Sequence, residues 1–493
     1  MRLFRFPRIA SLILISAVLA VSCSKDSGIT DPPDNPDSPS SAKGFSSFAF
    51  TTTDNPTLNG TCSSRVIEGT IYVTIPFEVP LTSLKASFSL SPKAKAEIDG
   101  KVLTSGTTAA DYSKLVKVKV TAEDNTYAFY YVNVQHGIKA LDDMVYNFME
   151  KYSIPGVSVS VAYNEKLVFA RGYGYADREN HERMESYYML RLASCSKPFT
   201  SMCIMRLLDE GKIALDDKPF ALGGVLHNQF PDHKEAFEQM TIRNFLEHTS
   251  GVANSPFDPM FDNSVTTQLS NVETIEYVVK NFTPNYSPGV RHQYSNFGYC
   301  VLGRVIEAIT GKTYEEYLKE AVLDPAGVKN IRVGSTGRDK RFPNESVYYS
   351  QSGDGYNNNM KRLDSCGGLI ASTPDLMKLA CKLDALPEIP DIFPKYILDL
   401  MQTPSVANTK YALGWRVGHS LYPGAAYHSG NLSGTATMWC RNYKGDTDCA
   451  ILCNSRSYQS DSGGSFDDAL YVLLHNVLAL GNWPDQDLFS QYE

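Results

Sequence analysis

SCSKPFTSMCIMRLLDEG, residues 194–211, is the stretch that decides the fold of this chain. Its apolar residues recur at helical spacing, and Pro198 falls in the first turn, where its missing N–H has no helical partner. Gly211 is a residue type suited to end a helix. The stretch therefore predicts a helix that begins at Ser194. Because Ser194 and Lys197 are three positions apart, they lie on one face of that helix and can touch.

This serine–lysine pair can carry nucleophilic chemistry. A serine hydroxyl is a poor nucleophile until a base takes its proton, and a buried, partly neutral lysine can be that base. The positive field of a helix N-terminus favours both a neutral lysine and a developing oxyanion. The Ser-x-x-Lys spacing alone is weak evidence, since residues 22–25 and 40–43 match it as well. Partners elsewhere in the chain must decide the matter.

Two later motifs supply such partners. YSN, residues 294–296, precedes an apolar stretch that predicts a helix, and YHSGN, residues 427–431, precedes a predicted hairpin. A glycine on an edge strand, as predicted for Gly430, lets a substrate approach the backbone closely.

The chain around these motifs alternates irregularly between helices and strands. Hairpin strands are predicted near both ends of the region, and helices are predicted at its start and close. The predicted hairpins are 157–162 with 167–173 and 435–440 with 449–453, and the predicted helices are 141–152 and 467–480. This order predicts an α+β domain over residues 137–493 whose antiparallel sheet is completed from both ends of the sequence.

A different pattern occupies residues 44–136. Short runs such as 71–75, 115–120 and 128–134 are β-branched or aromatic with period-two alternation, and turn residues separate them. They predict a small all-β immunoglobulin-like sandwich. No chemical constellation stands out in it, so it is a spacer, or alternatively a module that binds a glycan or a partner.

The first residues predict export. Three arginines precede an apolar run at 9–21 that is too short to span a membrane comfortably, which predicts a signal peptide over residues 1–22. The small residues before Cys23 resemble a bacterial lipoprotein signal, in which the cysteine is diacylated. Ordinary cleavage after Ala20, leaving Cys23 as a free thiol, is the alternative. Residues 23–43 are rich in Pro, Ser and Asp and predict a disordered tether.

Composition excludes some functions. The net charge of −8 is spread along the sequence without a basic stripe, which argues against a nucleic-acid partner. Without Cys23, nine of the ten cysteines remain, with no pair at metal-binding spacing, so neither a metal site nor a cofactor is predicted. Cys440 and Cys449 could face each other across the predicted hairpin, whereas buried free thiols are expected for most of the set.

The three motifs, in this order, resemble the serine β-lactamase and penicillin-binding-protein superfamily. The Tyr-x-Asn and His-x-Gly forms are similar to its class C branch, which includes class C β-lactamases, D-amino-acid peptidases and family VIII esterases. Further matches are GKIALDD, LEHTSG and GGLIAST at residues 211–217, 246–251 and 367–373. The resemblance runs from about residue 140 to the C-terminus and implies an antiparallel sheet flanked by helices, with a helical subdomain. The preceding Ig-like region is similar to those of Bacteroidetes surface lipoproteins.

The resemblance implies roles for the motif residues. Ser194 would be the nucleophile that is acylated, and Lys197 and Tyr294 would share proton transfer, with either as the base. Asn296 would donate to the substrate carbonyl or to Lys197. The backbone N–H groups of Ser194 and Asn431 would form the oxyanion hole.

The remaining motif residues carry weaker expectations. His428 and Gly430 would contact the substrate, although His428 could instead be a satisfied surface histidine. His248 is expected to hold a helix end, and Cys195 to be a packed neighbour of the nucleophile. The related β-lactam and D-Ala-D-Ala enzymes usually carry lysine where this chain has His428, which weakens the case for an efficient β-lactamase.

These inferences predict a lipid-anchored serine hydrolase of the bacterial cell envelope, at the outer membrane, that forms an acyl-enzyme without a cofactor. The expected substrates are small esters, amides or D-peptides. The alternatives are transfer of the acyl group to an alcohol acceptor, β-lactam hydrolysis, and a non-catalytic surface binding protein, which the intact catalytic residues argue against.

Overall fold

The computed structural model describes residues 39–254, 258–261, 269–461 and 464–492. The chain divides into two compact units, with the boundary after Lys139. The predicted signal peptide, Cys23 and most of the predicted tether lie outside the described residues, so the anchor stays a prediction. Among the described residues, each helix is too short or too polar to cross a membrane.

The described part of the first unit consists of short β-strands. These are β1 (Phe45–Phe50), β2 (Cys62–Ser63), β3 (Arg65–Ile67), β4 (Thr70–Ile75), β5 (Leu84–Lys85), β6 (Ser87–Leu90), β7 (Lys95–Ile98), β8 (Lys101–Leu103), β9 (Ala109–Ala110), β10 (Val116–Thr121) and β11 (Tyr127–His136). The predicted strands at 71–75, 115–120 and 128–134 correspond to β4, β10 and β11, with bounds that differ by one or two residues.

Two sheets enclose the core of the first unit. Their strand orders are β2-β1-β6 and β3-β4-β11-β10-β7-β8, with β5 and β9 paired separately. Neighbouring strands are antiparallel except β4 and β11, which run parallel. Phe50, Val73 and Val118 from both sheets share one buried apolar cluster. The region is strand-rich as expected, and its assignment as an Ig-like sandwich stays a prediction.

The second unit mixes helices and strands. Its helices are α1 (Lys139–Tyr152), α2 (Lys197–Asp209), α3 (Ile242–Leu246), α4 (Asn271–Asn281), α5 (Asn296–Thr310), α6 (Tyr314–Leu318), α7 (Asp324–Ala326), α8 (Thr373–Ala380), α9 (Lys395–Gln402) and α10 (Phe466–Leu478). Its strands are β12 (Gly156–Tyr163), β13 (Lys166–Asp177), β14 (Glu182–Arg183), β15 (Leu190–Arg191), β16 (Arg332–Val333), β17 (Tyr349–Ser350), β18 (Leu369–Ala371), β19 (Ala426–Leu432), β20 (Thr435–Tyr443), β21 (Thr447–Cys453), β22 (Ser455–Arg456), β23 (Ser460–Asp461) and β24 (Gly464–Ser465).

An antiparallel sheet in the order β14-β13-β12-β21-β20-β19 forms the centre of the second unit. Its middle pair joins β12 to β21, so strands almost 300 residues apart in the chain lie side by side. The prediction of an α+β domain whose sheet is completed from both ends is confirmed. Cys440 and Cys449 are direct register partners on β20 and β21, and both are free thiols.

Helices cover this sheet, which explains its continuous burial. Val157, Val159 and Val161 point to one face of β12 and are fully buried. On the opposite face, the Oγ atoms of Ser158 and Ser160 lie 2.8 Å from Oγ1 of Thr373 in α8. A strand that is buried on both faces cannot show the polar–apolar alternation of a half-exposed strand, and β21 is buried along its whole length.

Candidate active site

Ser194 lies in a tight turn directly before α2. The turn is a 3-10 helix, Ala193–Ser196, that continues directly into the α-helix at Lys197. The predicted helix therefore starts within one residue of Ser194, and its first turn is a 3-10 helix. Ala193, the first residue of this turn, has a φ of 49°, in the left-handed region that residues other than glycine rarely adopt. Such backbone strain costs on the order of 1 kcal/mol and is common at functional sites. Ser194 remains partly exposed, whereas its neighbours in the turn are buried.

Lys197 is fully buried and makes three polar contacts. Its Nζ lies 3.3 Å from Ser194 Oγ, 2.7 Å from Asn296 Oδ1 and 2.6 Å from the backbone oxygen of Cys366. The expected contact between Ser194 and Lys197 is therefore present. Because Asn296 Oδ1 and the Cys366 oxygen can only accept hydrogen bonds, the amine must donate to both.

Asn296 begins α5 and is itself held on two sides. Its Nδ2 donates to Asp258 Oδ2 at 2.7 Å, and its backbone N–H donates to Asn254 Oδ1 at 2.9 Å. Burial raises the pKa of Asp258 above its ordinary value. One of the sequence-based alternatives was that Asn296 donates to Lys197. The structure corrects it, because Asn296 accepts a hydrogen bond from Lys197 through its side-chain oxygen.

Tyr294 faces the lysine. Lys197 Nζ lies 4.8 Å from the centre of the Tyr294 ring. The Tyr294 hydroxyl is buried and has no hydrogen-bond partner among the residues that the structure describes. A buried hydroxyl without a partner is costly, so this group is placed to bind a substrate, a water or a transferred proton.

His248 positions the loop that carries Tyr294. Its ring packs against the Tyr294 ring with centroids 4.2 Å apart, and its Nδ1 accepts the backbone N–H of Ser295 at 3.1 Å. The backbone oxygen of His248 accepts the N–H of Gln293 at 2.7 Å. His248 follows α3 with a left-handed φ of 59°, consistent with the expectation that this histidine holds a helix end.

A chain of hydrogen bonds links His248 to His428 through Tyr411. His248 Nε2 lies 3.0 Å from the Tyr411 hydroxyl, which lies 3.2 Å from His428 Nε2. His428 Nδ1 lies 2.7 Å from the backbone oxygen of Ser429 and must therefore carry a hydrogen. Since His248 Nδ1 accepts from Ser295, His248 Nε2 carries the hydrogen and donates to the Tyr411 hydroxyl. The Tyr411 hydroxyl in turn donates to His428 Nε2. His428 is fully buried, so it is not the surface histidine that the sequence left as an alternative, and its predicted substrate contact stays a prediction.

Both histidines are held neutral. Burial, with the nearby charges of Lys197 and Arg416, lowers the pKa of His248 and of His428 well below the ordinary value of 6.5. Below pH 6.5 the unfolded chain takes up protons at these positions while the folded protein does not, so each histidine lowers the free energy of unfolding as the pH falls. The loss is on the order of 1 kcal/mol per pH unit for each group.

We therefore expect the stability difference between the wild type and His428→Gln to narrow from pH 7.5 to pH 5.5. Burial also raises the pKa of Asp384 to about 6 and of Asp448 to about 7, and these two groups increase the free energy of unfolding as the pH falls. The effect of His428 is therefore measured as the difference between the wild type and the variant. Urea unfolding at several pH values measures the difference. A stability difference that stays constant with pH would show that His428 is not neutral in the folded state. His181→Ala, which replaces an exposed histidine, serves as the control.

The edge strand β19 approaches the Ser194 turn closely at Gly430. A Cβ at Gly430 would overlap the backbone oxygen of Leu192 and Oγ1 of Thr437, and would lie 3.0 Å from Ala193 Cβ. The side chain of the next residue, Asn431, reaches toward Asp467 with Nδ2 and Oδ2 3.5 Å apart. The oxyanion role predicted for Asn431 thus depends on its backbone N–H and stays a prediction.

Gly430→Ala is expected to lower kcat/KM about 100-fold, because β19 or the Ser194 turn must move by a large part of an ångström to admit the methyl group. Gly367→Ala is the matched control, since a Cβ there would meet the carbonyl carbon of Ala193 at 3.7 Å, an ordinary contact. Steady-state kinetics on one ester substrate compares the two variants. Equal activities would contradict the close approach.

Cys195 packs beneath the site. It is fully buried, its Sγ lies 3.2 Å from the backbone oxygen of His428 and 3.3 Å from Thr437 Oγ1, and burial raises its pKa to about 12. A thiol in this state is a poor nucleophile. The geometry agrees with the expected role of a packed neighbour.

Comparison with known proteins decides the family. The family model described as Beta-lactamase matches residues 141–472, about two thirds of the chain. The chain belongs to the beta-lactamase family. The match covers the Ser194 turn, Tyr294, Asn296 and β19, the elements that form the candidate site.

The similar proteins described next share less than a quarter of their aligned residues with this chain. Protein flp of Staphylococcus aureus (strain NCTC 8325 / PS 47) is 23% identical over 327 residues, which are 64% of this chain and 63% of that protein. The chain thus spans slightly less than two thirds of the length of this relative.

Two solved structures share the fold. The octameric penicillin-binding protein homologue from Pyrococcus abyssi has a TM-score of 0.57 and 23% identity, with 71% of this chain and 78% of that chain covered. The D-amino acid amidase from Ochrobactrum anthropi SV3, solved with L-phenylalanine, has a TM-score of 0.54 and 22% identity, with 69% and 97% covered. At these identities the likeness shows the fold alone.

Several residues of this beta-lactamase-family site had no sequence signal. Asp258 and Asn254 stand in a stretch without a recognised motif, and Arg416 follows a tryptophan in a loop. The Arg416 guanidinium lies 6.0 Å from the centre of the Tyr294 ring and has no ion-pair partner among the described residues. The sequence did offer a signal for the Cys366 carbonyl, because Cys366 directly precedes the GGLIAST match. Tyr411 was one of 29 tyrosines and was not distinguishable from them.

Proposed function

We propose that this chain is a serine hydrolase that forms an acyl-enzyme on Ser194 and cleaves amide, peptide or ester bonds of small substrates. One observation carries the proposal: the buried amine of Lys197 contacts Ser194 Oγ while two obligate acceptors occupy its other hydrogen-bonding directions. The family membership supports it. The amidase of similar fold supports amide hydrolysis in particular.

The geometry implies a direction for the first proton transfer. In its neutral form Lys197 has two N–H bonds, and Asn296 Oδ1 and the Cys366 oxygen take both. The lone pair of the amine then points toward Ser194 Oγ. The hydroxyl can therefore pass its proton to the amine as the oxygen attacks the substrate carbonyl. The bond from Oγ to the carbonyl carbon forms, and the C=O π pair moves to the oxygen.

Tyr294 completes the cycle in this proposal. Its hydroxyl, which has no partner among the described residues, relays the proton from Lys197 to the departing nitrogen or oxygen as the bond to the leaving group breaks. Water, activated by the same pair, then attacks the acyl-enzyme and restores Ser194. An alcohol in place of water would make the same site an acyltransferase.

Arg416 favours substrates that carry a carboxylate. Its Nε is buried without a hydrogen-bond partner among the described residues, and its backbone pairs with Tyr427, next to His428. Arg416 as a whole is half-buried, and a carboxylate fits a guanidinium in a two-point contact. Arg416 can thus supply the positive charge that the neutral His428 lacks.

Arg416→Gln is expected to raise KM about 10- to 100-fold for substrates with a free carboxylate, because a hydrogen bond to a charged group contributes about 1.5–3 kcal/mol. Uncharged p-nitrophenyl esters should be cleaved with unchanged KM. Arg291→Gln, an exposed arginine near the YSN motif, is the control. The same KM increase for both substrate classes would contradict a carboxylate-binding role.

The proposed function is tested by incubating the full chain with a D-amino-acid amide, a D-Ala-D-Ala peptide, p-nitrophenyl esters and a chromogenic β-lactam, with and without an alcohol acceptor. Ser194-dependent release of ammonia, amino acid or nitrophenol supports a hydrolase, and a new ester with the added alcohol supports a transferase. Turnover of the β-lactam alone would favour the β-lactamase alternative. No turnover and no covalent labelling by a fluorophosphonate would overturn the proposal.

Export and a lipid anchor on Cys23 are part of the same proposal. In this view the hydrolase is held at the bacterial outer membrane by the acylated cysteine, and the first unit serves as a spacer. Radiolabelled palmitate should enter the wild type and not Cys23→Ala. Incorporation that is equal in both would remove the anchor from the proposal.

A further inference from the structure

The segment between α2 and α3 contains a cluster of metal-ligand residues far from the nucleophile in sequence. One ring nitrogen each of His227 and His233 and a carboxylate oxygen of Glu238 lie within 4.8 Å of one another. Within this group, His233 Nε2 and Glu238 Oε1 are 3.3 Å apart. Adjacent ligand atoms around a tetrahedral zinc ion, with bonds of about 2.0–2.2 Å, are separated by roughly the same distance.

Both histidines are oriented as metal ligands usually are. Nδ1 of His227 lies 3.0 Å from the backbone oxygen of Phe220, and Nδ1 of His233 lies 2.7 Å from that of Phe230. Because a carbonyl oxygen only accepts, each Nδ1 carries a hydrogen, and in the neutral ring the lone pair is on Nε2. A backbone carbonyl that holds the other ring nitrogen is the second-shell arrangement typical of metal-bound histidine.

We propose that His227, His233 and Glu238 bind a divalent transition-metal ion, with Zn²⁺ as the best fit. Two imidazoles and one carboxylate suit zinc, whereas calcium and magnesium prefer oxygen ligands throughout. A water completes the tetrahedron, because Glu238 and His227 are only half buried.

The site has a structural role in this proposal. The segment from Asp209 to Ile242 contains one short 3-10 helix, Glu235–Gln239, as its regular secondary structure. The metal would join two points of this irregular segment. Phe237, next to Glu238, packs against Phe297 with ring centroids 6.3 Å apart, and Phe297 directly follows Asn296. The metal would therefore stabilise the segment that packs, through Phe237, against the helix carrying Asn296.

The sequence predicts no metal site, because the spacing of these three residues matches no complete metal-binding pattern. The pattern is His227-x5-His233-x4-Glu238, without any cysteine. Its His-x5-His spacing is within the range that zinc sites use, but the second half of a zinc pattern is missing. The third ligand and the two carbonyl partners become visible only when the segment is folded.

The experiment uses the full chain, treated with EDTA and then equilibrated with Zn²⁺, Ca²⁺ or Mg²⁺. Equilibrium dialysis with metal analysis should find one Zn²⁺ per chain and no tight binding of the other two ions. Glu238→Gln and His227→Ala should each weaken Zn²⁺ binding at least about 10-fold. They replace half-buried side chains, so they are expected to fold, and the melting temperature of each metal-free variant checks this.

Two control variants make the assignment specific. His181→Ala removes an exposed histidine and should bind Zn²⁺ as the wild type does. Asp384→Asn alters the cluster of Cys381, Asp384 and Asp448, which also places potential ligand atoms within 4.8 Å of one another. Loss of Zn²⁺ binding in Asp384→Asn with full binding in Glu238→Gln would overturn the proposal, as would absence of Zn²⁺ binding by the wild type.

A measurement on the wild type alone keeps the test independent of folding in the variants. Diethyl pyrocarbonate modifies histidine nitrogens that have a free lone pair, and peptide mass spectrometry locates the modified residues. Zn²⁺ should protect His227 from modification and leave His181 unprotected. Equal modification of His227 with and without Zn²⁺ would overturn the proposal.

Discussion

Ser194→Ala is expected to abolish covalent labelling by a fluorophosphonate and to lower kcat/KM by on the order of 10⁴-fold or more. The reason is that the acyl-enzyme cannot form without Oγ, while the residual binding groups stabilise the transition state only weakly. Labelling followed by intact-mass measurement, together with ester hydrolysis rates, gives both readouts on the same sample.

Cys195→Ala is the matched control for this result. Cys195 is the next residue, and its thiol is buried with a pKa raised to about 12, so it should not react. The variant should keep its label and most of its activity. Labelling that persists in Ser194→Ala and disappears in Cys195→Ala would show that the nucleophile has been assigned to the wrong atom.

Lys197→Met is expected to lower the rate of fluorophosphonate labelling and kcat/KM about 10³-fold or more, because it removes the base next to Ser194 and leaves the hydroxyl in place. The side chains are similar in length, so packing changes little. Asn296 Oδ1 and the Cys366 oxygen lose their donor, and each buried acceptor left without a partner costs about 1–3 kcal/mol. We therefore expect the melting temperature to fall as well.

Two further variants separate the loss of the base from the loss of stability. Lys197→Arg should not restore activity, because the position is fully buried and an arginine is larger than lysine and stays charged. Lys212→Met, an exposed lysine just beyond the C-terminal end of α2, should behave as the wild type in both measurements. Normal labelling kinetics in Lys197→Met would exclude the lysine as the base and point to Tyr294.

Helices and strands of the second unit could be predicted because their signal is local. The helix predicted from the apolar spacing after Lys197 extends over Lys197–Asp209, and the helix predicted at 467–480 extends over Phe466–Leu478. The contact between Ser194 and Lys197 follows from the same short-range geometry. The left-handed backbone of Ala193, directly before Ser194, leaves no mark in the sequence.

The candidate site was only partly predictable, since many of its contacts join distant residues. The contact of Asn296 with Asp258 closes a loop of 38 residues, and the bond of Tyr411 to His248 closes one of 163. Composition and spacing carry no information about such closures. The enclosure of His428 has the same origin, because its burial depends on strands and loops that pack around it only in the folded protein.

The sequence by itself determined the type of domain and predicted which residues would lie at its candidate site. Periodicity predicted the elements, and three short motifs in order indicated Ser194, Lys197 and Tyr294 as the reacting groups. Tertiary structure alone decided which atoms meet: the two acceptors of the Lys197 amine, the Arg416 guanidinium near the Tyr294 ring and the cluster at His227. The physical reason is that hydrogen bonding, burial and charge act over a few ångströms in space, and only folding brings residues far apart in the chain within that range.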